Sequence, residues 1–416
     1  MSDFIETKSK FHLPEGIVYL DGNSLGPLPK TAQNIVQNTI FNEWGEMLVT
    51  GWNKAGWMDQ PSIIGNKIAR LVGAAADTIT VGDTLSIKVF QALASAASYQ
   101  TNKKVFLTDY NNFPSDIYAA QGLVNMLQAS HELKIVSTEK LIENIDENVA
   151  AVFFTEVDYR TGRRYDADKI IKAAKQNGSL VILDLAHSAG AIDTNLTELD
   201  VDLAVGCTYK YLNGGPGSPA FIYVNPNLIN SLEPCLSGWL GHDKPFDFSL
   251  KYTPASGIDR MRVGTPPVIA LAALEASLDI WETVDISDVR ETSIQLTDQF
   301  IKGVEQNCPK LQLITPRTPE NRGSQVSFSF ENGYAAMQAC IERGVIGDFR
   351  APNVMRFGFT PLFIDSQDVE KAIETLAEIM SKNLWNNPQF QKRKKVTLSR
   401  IPRIVILICC FTKSFK

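Results

Sequence analysis

The sequence predicts an α/β protein: a large unit on a mostly parallel sheet with helices on both faces, followed by a smaller α+β unit. Three observations predict it. Through the middle of the chain, short apolar runs alternate with longer amphipathic stretches, the pattern of successive βαβ units. In the final third this gives way to long helical patterns around one period-two segment. The chain has 416 residues, 44% of them hydrophobic and 21% charged. That is an ordinary globular balance with room for two or three domains.

Taken in order, residues 1–45 hold the turn-rich stretch DGNSLGPLPK. They cannot form a domain alone and are expected to pack on the other units, chiefly the smaller one. The large unit spans 46–262. Within it 104–108 (KVFLT), 151–155 (AVFFT), 180–184 (LVILD) and 220–224 (AFIYV) read as strands. They are apolar throughout, as strands buried on both faces must be. Residues 114–128 read as a helix, as do 166–176 with Ile170, Ile171 and Ala174 inward. The glycines and paired prolines of 257–267 mark a hinge. The smaller unit, 263–396, should open with one long helix from Pro267 to about Val304. LQLITP, the alternating SQVSFSF, a helix, NVMRFGF and a helix over 365–384 follow. Residues 397–416 form an atypical tail. Its apolar stretch 404–411 is far below the ~18 residues of a membrane span.

Forty Lys and Arg against 46 Asp and Glu leave a net charge of −6, a poor balance for binding nucleic acid or anionic membranes. The six cysteines form no C-x-x-C pair and no zinc spacing, and the four histidines are far apart, so no metal site is expected. The N-terminus lacks an apolar signal core, which suggests a reducing cytosol.

Three segments carry chemistry. In CTYKYLNGGPGSPAF (207–221), Lys210 follows the apolar run 203–205 and precedes Gly214, Gly215 and Gly217. A desolvated lysine there is an amine nucleophile beside a backbone that a flat ligand can approach; taken alone, it is equally a solvated loop lysine. In LVILDLAHSAGA (180–191), Asp184 ends a strand, at the edge where open α/β sheets bind ligands. A buried carboxylate needs a cationic partner, such as a protonated pyridine nitrogen, and His187 could bond the same ligand. The alternative is that Asp184 caps a following helix through Ser188 or Ala189. In GDTLSIKVFQALASA (82–96), Asp83 or Thr84 can cap a helix whose apolar face takes Ile87, Phe90, Leu93 and Ala94. The N–H groups of Leu85 and Ser86 and the Ser86 hydroxyl would meet an anion; most capped helices bind nothing. The chain lacks GxGxxG after a strand and GxxxxGK[ST], which argues against dinucleotide or nucleoside-triphosphate sites.

Together, a lysine nucleophile, an aspartate for a pyridine nitrogen and a phosphate-binding helix start are the parts pyridoxal 5'-phosphate requires. DLAHSAGA followed by CTYKYLNGGPGS also closely resembles kynureninase, a hydrolase of pyridoxal-phosphate fold type I, and its bacterial type in particular. The resemblance runs from YLDGNSLGPLP (19–29) through NFPSD (112–116), SGWLGH (237–242), RVGTPP (262–267) and NVMRFGF (353–359) to the last helix. DLAH with TYKYLN is specific; LDGNSLG marks only the wider class V aminotransferase group.

The resemblance implies hydrolysis of L-kynurenine to anthranilate and L-alanine, with 3-hydroxykynurenine as a second candidate substrate, in tryptophan breakdown or NAD synthesis, by a cytoplasmic homodimer with shared active sites. It makes Lys210 the lysine that carries the cofactor and, with Tyr209 and Asp184, catalytic. Asp184, with Asp116 nearby, would face the ring nitrogen. Phe113 would stack on the ring, and Thr155 and His187 would line it. Leu85, Ser86 and Tyr209 would contact the phosphate, with Trp239 and Thr265 reaching over from the second subunit. Arg356 would bind the substrate carboxylate as a planar fork, and Trp52, Gly264 and Thr265 the aromatic ring. Leu85 and Lys88 stand where bacterial relatives carry Thr and Asn, which removes one phosphate hydrogen bond. Two rival readings are a cysteine desulfurase, which needs a mobile thiol such as Cys340, and an idle binding module on the same fold.

Overall fold

The structure is a computed structural model that describes residues 4–128 and 130–393; the tail expected at 397–416 lies outside the described residues. The large unit is a seven-stranded sheet. Its strands are β1 (Ile79–Val81), β2 (Val105–Asp109), β3 (Glu132–Val136), β4 (Val149–Thr155), β5 (Leu180–Asp184), β6 (Leu203–Gly206) and β7 (Phe221–Val224), in the spatial order β1-β7-β6-β5-β4-β2-β3. From β3 to β6 every pairing is parallel, and β7 runs antiparallel to both β6 and β1.

The apolar runs divide cleanly between the two faces of this sheet. Val152, Phe154, Val181, Leu183 and Ala204 belong to one core, Ala151, Phe153, Ile182, Leu203 and Val205 to the other. Helices α1 (Leu85–Tyr99) and α2 (Pro114–Met126) cover the second face through Val89, Leu93, Ala120 and Leu123. Helix α3 (Ala167–Gln176) covers the first through Ile170, Ile171 and Ala174. Its start is set by Asp166, whose side chain accepts the Lys169 N–H. Every loop at the carboxyl edge of β2, β4, β5 and β6 therefore opens toward one side, where a ligand crevice belongs.

The single long helix expected from Pro267 to about Val304 is two helices. Helix α4 (Val268–Trp281) ends, and α5 (Ile286–Asn307) begins after Asp285 turns into the extended region and accepts the Ser287 N–H at 2.9 Å. A local side-chain cap competes successfully with helix continuation there. The small sheet is antiparallel, with β8 (Gln312–Leu313), β9 (Gln325–Ser329), β10 (Asp348–Arg350) and β11 (Val354–Gly358) in the order β8-β9-β11-β10. Helix α6 (Gly333–Glu342) packs on it, and α7 (Ser366–Ser381) packs against α5 and α6.

The N-terminal segment joins both units. Lys8 pairs with Asp365 (2.6 Å) and Asp368 at the start of α7, and Val18–Tyr19 pairs in parallel with Val345–Ile346. Further on, the Gly26 N–H donates to the Tyr209 carbonyl at 2.8 Å. A Cβ on Gly26 would meet Asn213 Cα at 2.5 Å and the Lys210 carbonyl at 2.7 Å, so only glycine allows this approach.

Candidate active site

At the carboxyl edge of the large sheet a cavity of about 270 Å³ is lined by Leu85, Ser86, Phe113, Thr155, Asp184, His187, Tyr209 and Lys210. Residues more than a hundred positions apart in sequence meet because each follows a strand end or opens a helix facing that edge. A larger cavity, about 730 Å³, lies between the N-terminal segment and α4, but His12 and Tyr19 are its only titratable lining groups. The smaller one gathers an aspartate, a histidine, a lysine and two tyrosines.

Lys210 Nζ lies 2.9 Å from His187 Nε2 and 5.9 Å from the centre of the Phe113 ring. The lysine is half-buried in the cavity wall, not in the solvated loop position that was its alternative. His187 is buried, and its Nδ1 has no hydrogen-bond partner among the described residues. Burial, and then the charges of Lys210 and Arg356, push its pKa well below the ordinary value. The imidazole is therefore neutral at physiological pH.

Asp184 is buried at the last position of β5, opposite Thr155 at the end of β4. Desolvation pushes its pKa up to about 6, against the pull of Lys210, the Ala186 N–H and Thr155. The cap expected through Ser188 or Ala189 does not form. Residues 186–190 make turns rather than a helix, and Oδ1 accepts the Ala186 N–H at 2.9 Å. Asp116, buried in the first turn of α2, is raised by burial and by the nearby Asp184 charge. Two carboxyls with so few donors form an anionic site with little compensation, where a protonated ring nitrogen would fit.

The helix start at 82–96 differs from expectation in two ways. Neither Asp83 nor Thr84 caps α1 with its side chain. The Asp83 carboxylate lies instead 3.2 Å from Lys88 Nζ, so the first N–H groups of α1 keep no side-chain acceptor. Ile87 is 41% exposed, while Lys88 and Gln91 are buried, Gln91 donating to the Met261 carbonyl at 3.0 Å. Polar partners turn this helix away from its apolar stripe.

Tyr209 sits beside Lys210, its hydroxyl held well above the ordinary pKa by burial and by Cys207. Arg356, on β11, is 1% exposed. Its Nε donates to Asp348 Oδ1 (2.6 Å), and its Nη2 to Asp348 Oδ2 and Ser24 Oγ (3.1 Å). Its Nη1 donates to the Tyr159 carbonyl. Four of five N–H groups are used, and one on Nη1 keeps no partner among the described residues. Tyr159 packs edge-on against Phe113 at 5.0 Å and lines the cavity, so it links the arginine to the lysine.

The chain's own fold does not bring Trp52, Trp239, Gly264 or Thr265 to this cavity. Trp52 packs edge-on against Trp57 at 5.3 Å. Trp239 is 41% exposed, and Gly264 and Thr265 line a separate cleft with Asp83 and Lys88. Sequence reasoning missed Tyr159, Ser115, Asp348 and Ser24. Tyr159 lies just past the carboxyl end of β4, the same positional signal that singled out Asp184. Asp348 has no such signal, because only the β10–β11 pairing brings it to Arg356. Cys340 is fully buried in α6 and its thiol is pushed up to about 12, so it is no mobile nucleophile.

A family model described as the kynureninase C-terminal domain matches residues 289–376. A kynureninase of Pseudomonas fluorescens is 45% identical over 397 residues, covering 94% of this chain and 95% of its own. One of Burkholderia mallei (strain SAVP1) is 43% identical over the same shares. Among solved structures, an apo cysteine desulfurase of Thermococcus onnurineus NA1 matches with a TM-score of 0.75 at 17% identity, over 92% of this chain and 99% of its own. A C-DES mutant with glycine covalently linked to its PLP cofactor matches equally well at 17% identity, over 89% and 99%. At that identity the likeness is one of fold, that of the fold-type I pyridoxal-phosphate enzymes.

Proposed function

The chain belongs to the kynureninase family, and we propose from that premise that the Lys210 cavity is where it hydrolyses L-kynurenine to anthranilate and L-alanine. The observation that carries this is the meeting of Lys210 Nζ with a neutral, buried His187 at 2.9 Å, on the sheet edge that also holds Asp184.

The residues present fit pyridoxal 5'-phosphate. Lys210 would bond its aldehyde, Asp184 would face its ring nitrogen with Asp116 behind, and Phe113 would cover the ring. Thr155 and the unpartnered Nδ1 of His187 would meet its polar edge. The uncapped start of α1, with the Leu85 and Ser86 N–H groups and the Ser86 hydroxyl, would hold its phosphate, and Tyr209 would lie beside it. Bound there, the group supplies the electron sink that allows substrate Cα–H and Cβ–Cγ bonds to break. Lys210 Nζ, once free, takes the Cα proton and later returns one. Neutral His187 holds that amine in place and can share its proton. Tyr209 keeps its phenolic proton at neutral pH and can donate it as the bond breaks. Arg356 orients the substrate α-carboxylate through its remaining N–H.

The site belongs to a homodimer in this proposal. Trp239 and Thr265, which do not reach their own chain's cavity, would complete the partner's. The exposed Trp239, Phe246, Phe248 and Leu250 make an apolar surface suited to such an interface. The test is direct: with cofactor and L-kynurenine the protein should release fluorescent anthranilate and L-alanine in equal amounts. Alanine without anthranilate, or no turnover, would refute the assignment.

A further inference from the structure

Behind Arg356 lies a buried group that the proposed chemistry does not use. Asp21, in the turn after Val18–Tyr19, is 1% exposed, and its Oδ1 has no hydrogen-bond partner among the described residues. Its backbone is fixed. The Asp21 carbonyl accepts the N–H groups of Ser24 (2.9 Å) and Leu25 (3.0 Å), and the neighbouring Leu20 carbonyl accepts the Gly358 N–H of β11 at 2.8 Å. The side chain therefore cannot swing to solvent without breaking the join between the N-terminal segment and the small sheet.

The charged groups around it form one cluster. Asp348 takes the fork of Arg356 and an ion pair from Arg350 at 2.8 Å, while Ser24 Oγ donates to Asp348 Oδ2 at 2.8 Å. Tyr19 from its own segment and Tyr211 from the loop after β6 feel the Asp21 charge, and His187 feels both arginines across the cavity wall. With both carboxyls ionised, two arginines balance two aspartates, and an incoming carboxylate gains nothing from net charge. With Asp21 neutral the cluster carries one positive charge, matched by one substrate carboxylate. An ionised carboxylate with a bare buried oxygen is costly, and a carboxylic acid is much less so. Burial and the Asp348 charge both raise the Asp21 pKa, against the pull of Arg356, the Ser24 hydroxyl and Arg350.

We propose that Asp21 is the positioning residue that sets the charge of the Arg356 pocket, holding a proton when the substrate carboxylate is bound, so that carboxylate binding draws a proton onto Asp21. This rests on the reading of Arg356 as the carboxylate site. The probe is 3-benzoylpropionate, an aryl ketone acid that keeps the substrate's carboxylate and lacks its amines. Its binding to the holoenzyme is followed by calorimetry in buffers of different ionisation enthalpy. On the alkaline side, wild type should take up about one proton per ligand bound, and Asp21→Asn none. In kinetics the difference should lie in KM for kynurenine: in wild type KM climbs with pH, up to about tenfold per unit above the Asp21 ionisation, and in Asp21→Asn that climb is absent. Equal proton uptake and equal KM profiles in the two proteins would overturn the proposal while leaving Arg356 in its role. If Arg356→Gln binds benzoylpropionate as well as wild type does, the carboxylate goes elsewhere and both readings fall. Should Asp21→Asn not fold, Asp21→Ser removes the same carboxyl and is read by the same two measurements.

Discussion

The two ends of this site are built on opposite principles. At the Lys210 end, ionisable groups are buried with too few partners. Asp184 has one backbone donor, His187 one partner on one nitrogen, and the start of α1 no side-chain cap. At the Arg356 end, charge-assisted hydrogen bonds nearly saturate the guanidinium. Desolvated groups with few partners are costly alone and become favourable when a complementary ligand arrives. A saturated network instead holds its geometry whether or not ligand is present. On the function proposed above, the first end would receive a resident group and the second would orient a transient one, and substitutions should affect the two differently.

Lys210→Ala should break the first end most severely. Turnover should fall on the order of 10⁴-fold or more, because a nucleophile's loss is not shared out among its neighbours. Stability should change by only about 0.5–1 kcal/mol, since the lysine is half-buried with one hydrogen-bond partner. Anthranilate fluorescence and a thermal melt together check this; turnover near the wild-type rate would remove Lys210 from the chemistry.

Asp184→Asn should keep cofactor and lose about 10²–10³-fold in kcat, the usual cost of removing one group that steadies transition-state charge. It also sharpens the comparison through pH. In the cofactor-free protein, burial holds the Asp184 pKa up at about 6, while the unfolded chain has its ordinary value of 3.8. Between those values the folded state binds more protons, so this group's contribution to stability falls as pH rises, by on the order of 3 kcal/mol. His187, whose folded pKa is depressed, contributes the opposite slope as pH rises toward its ordinary 6.5. The two partly cancel in wild type. The melting temperature of Asp184→Asn, relative to wild type, should therefore climb from pH 4 to pH 6; a flat difference would mean that Asp184 is not held protonated.

The second end should respond to Arg356→Gln in both affinity and stability. Loss of a buried, hydrogen-bonded charge should lower kcat/KM about 10²–10³-fold, equivalent to ~3–4 kcal/mol. Asp348 would be left with Arg350 and Ser24, so folding should also weaken, by about 3–5 kcal/mol or somewhat less for the surviving pair. Kinetics and denaturant titration read the two effects separately. A KM change without any stability change would mean that the network is not the anchor it is taken for.

The same contrast decides what could be read from the sequence. Strands buried on both faces announce themselves as unbroken apolar runs, so β4 and β5 lie within two residues of their expected positions. The residues that follow those strands were legible for the same reason. The half-exposed β3 has no such run and was not anticipated. The break between α4 and α5 depends on one local cap at Asp285. The burial of Lys88 and Gln91 depends on partners at Asp83 and Met261, and the Arg356–Asp348 pair on a strand register. Those are tertiary facts, which periodicity does not encode.

The smallest expected effect concerns substrate choice. L-kynurenine should be preferred over L-3-hydroxykynurenine by about ten- to a hundredfold in kcat/KM. The resemblance would put the aromatic ring near Trp52 and the 262–267 loop, which, lying outside their own chain's cavity, would have to reach the cavity of the partner subunit. Here Trp52 is fixed edge-on against Trp57, whose own Nε1 is held by Glu43 at 2.9 Å. A bulky indole in that position leaves less room and offers a poorly placed donor, so the added hydroxyl would lose water without a good partner, at roughly 1–3 kcal/mol. Gly264 offers the means to sharpen the test, because no atom lies within 4 Å of where its Cβ would stand. Gly264→Asn should therefore fit within its own chain and supply the missing partner, narrowing the preference for kynurenine. Measuring kcat/KM for both substrates in both proteins decides it. Equal values in wild type, or a preference unmoved by Gly264→Asn, would place the ring away from this loop, and the Lys210 cavity alone would then have to account for recognition at both ends.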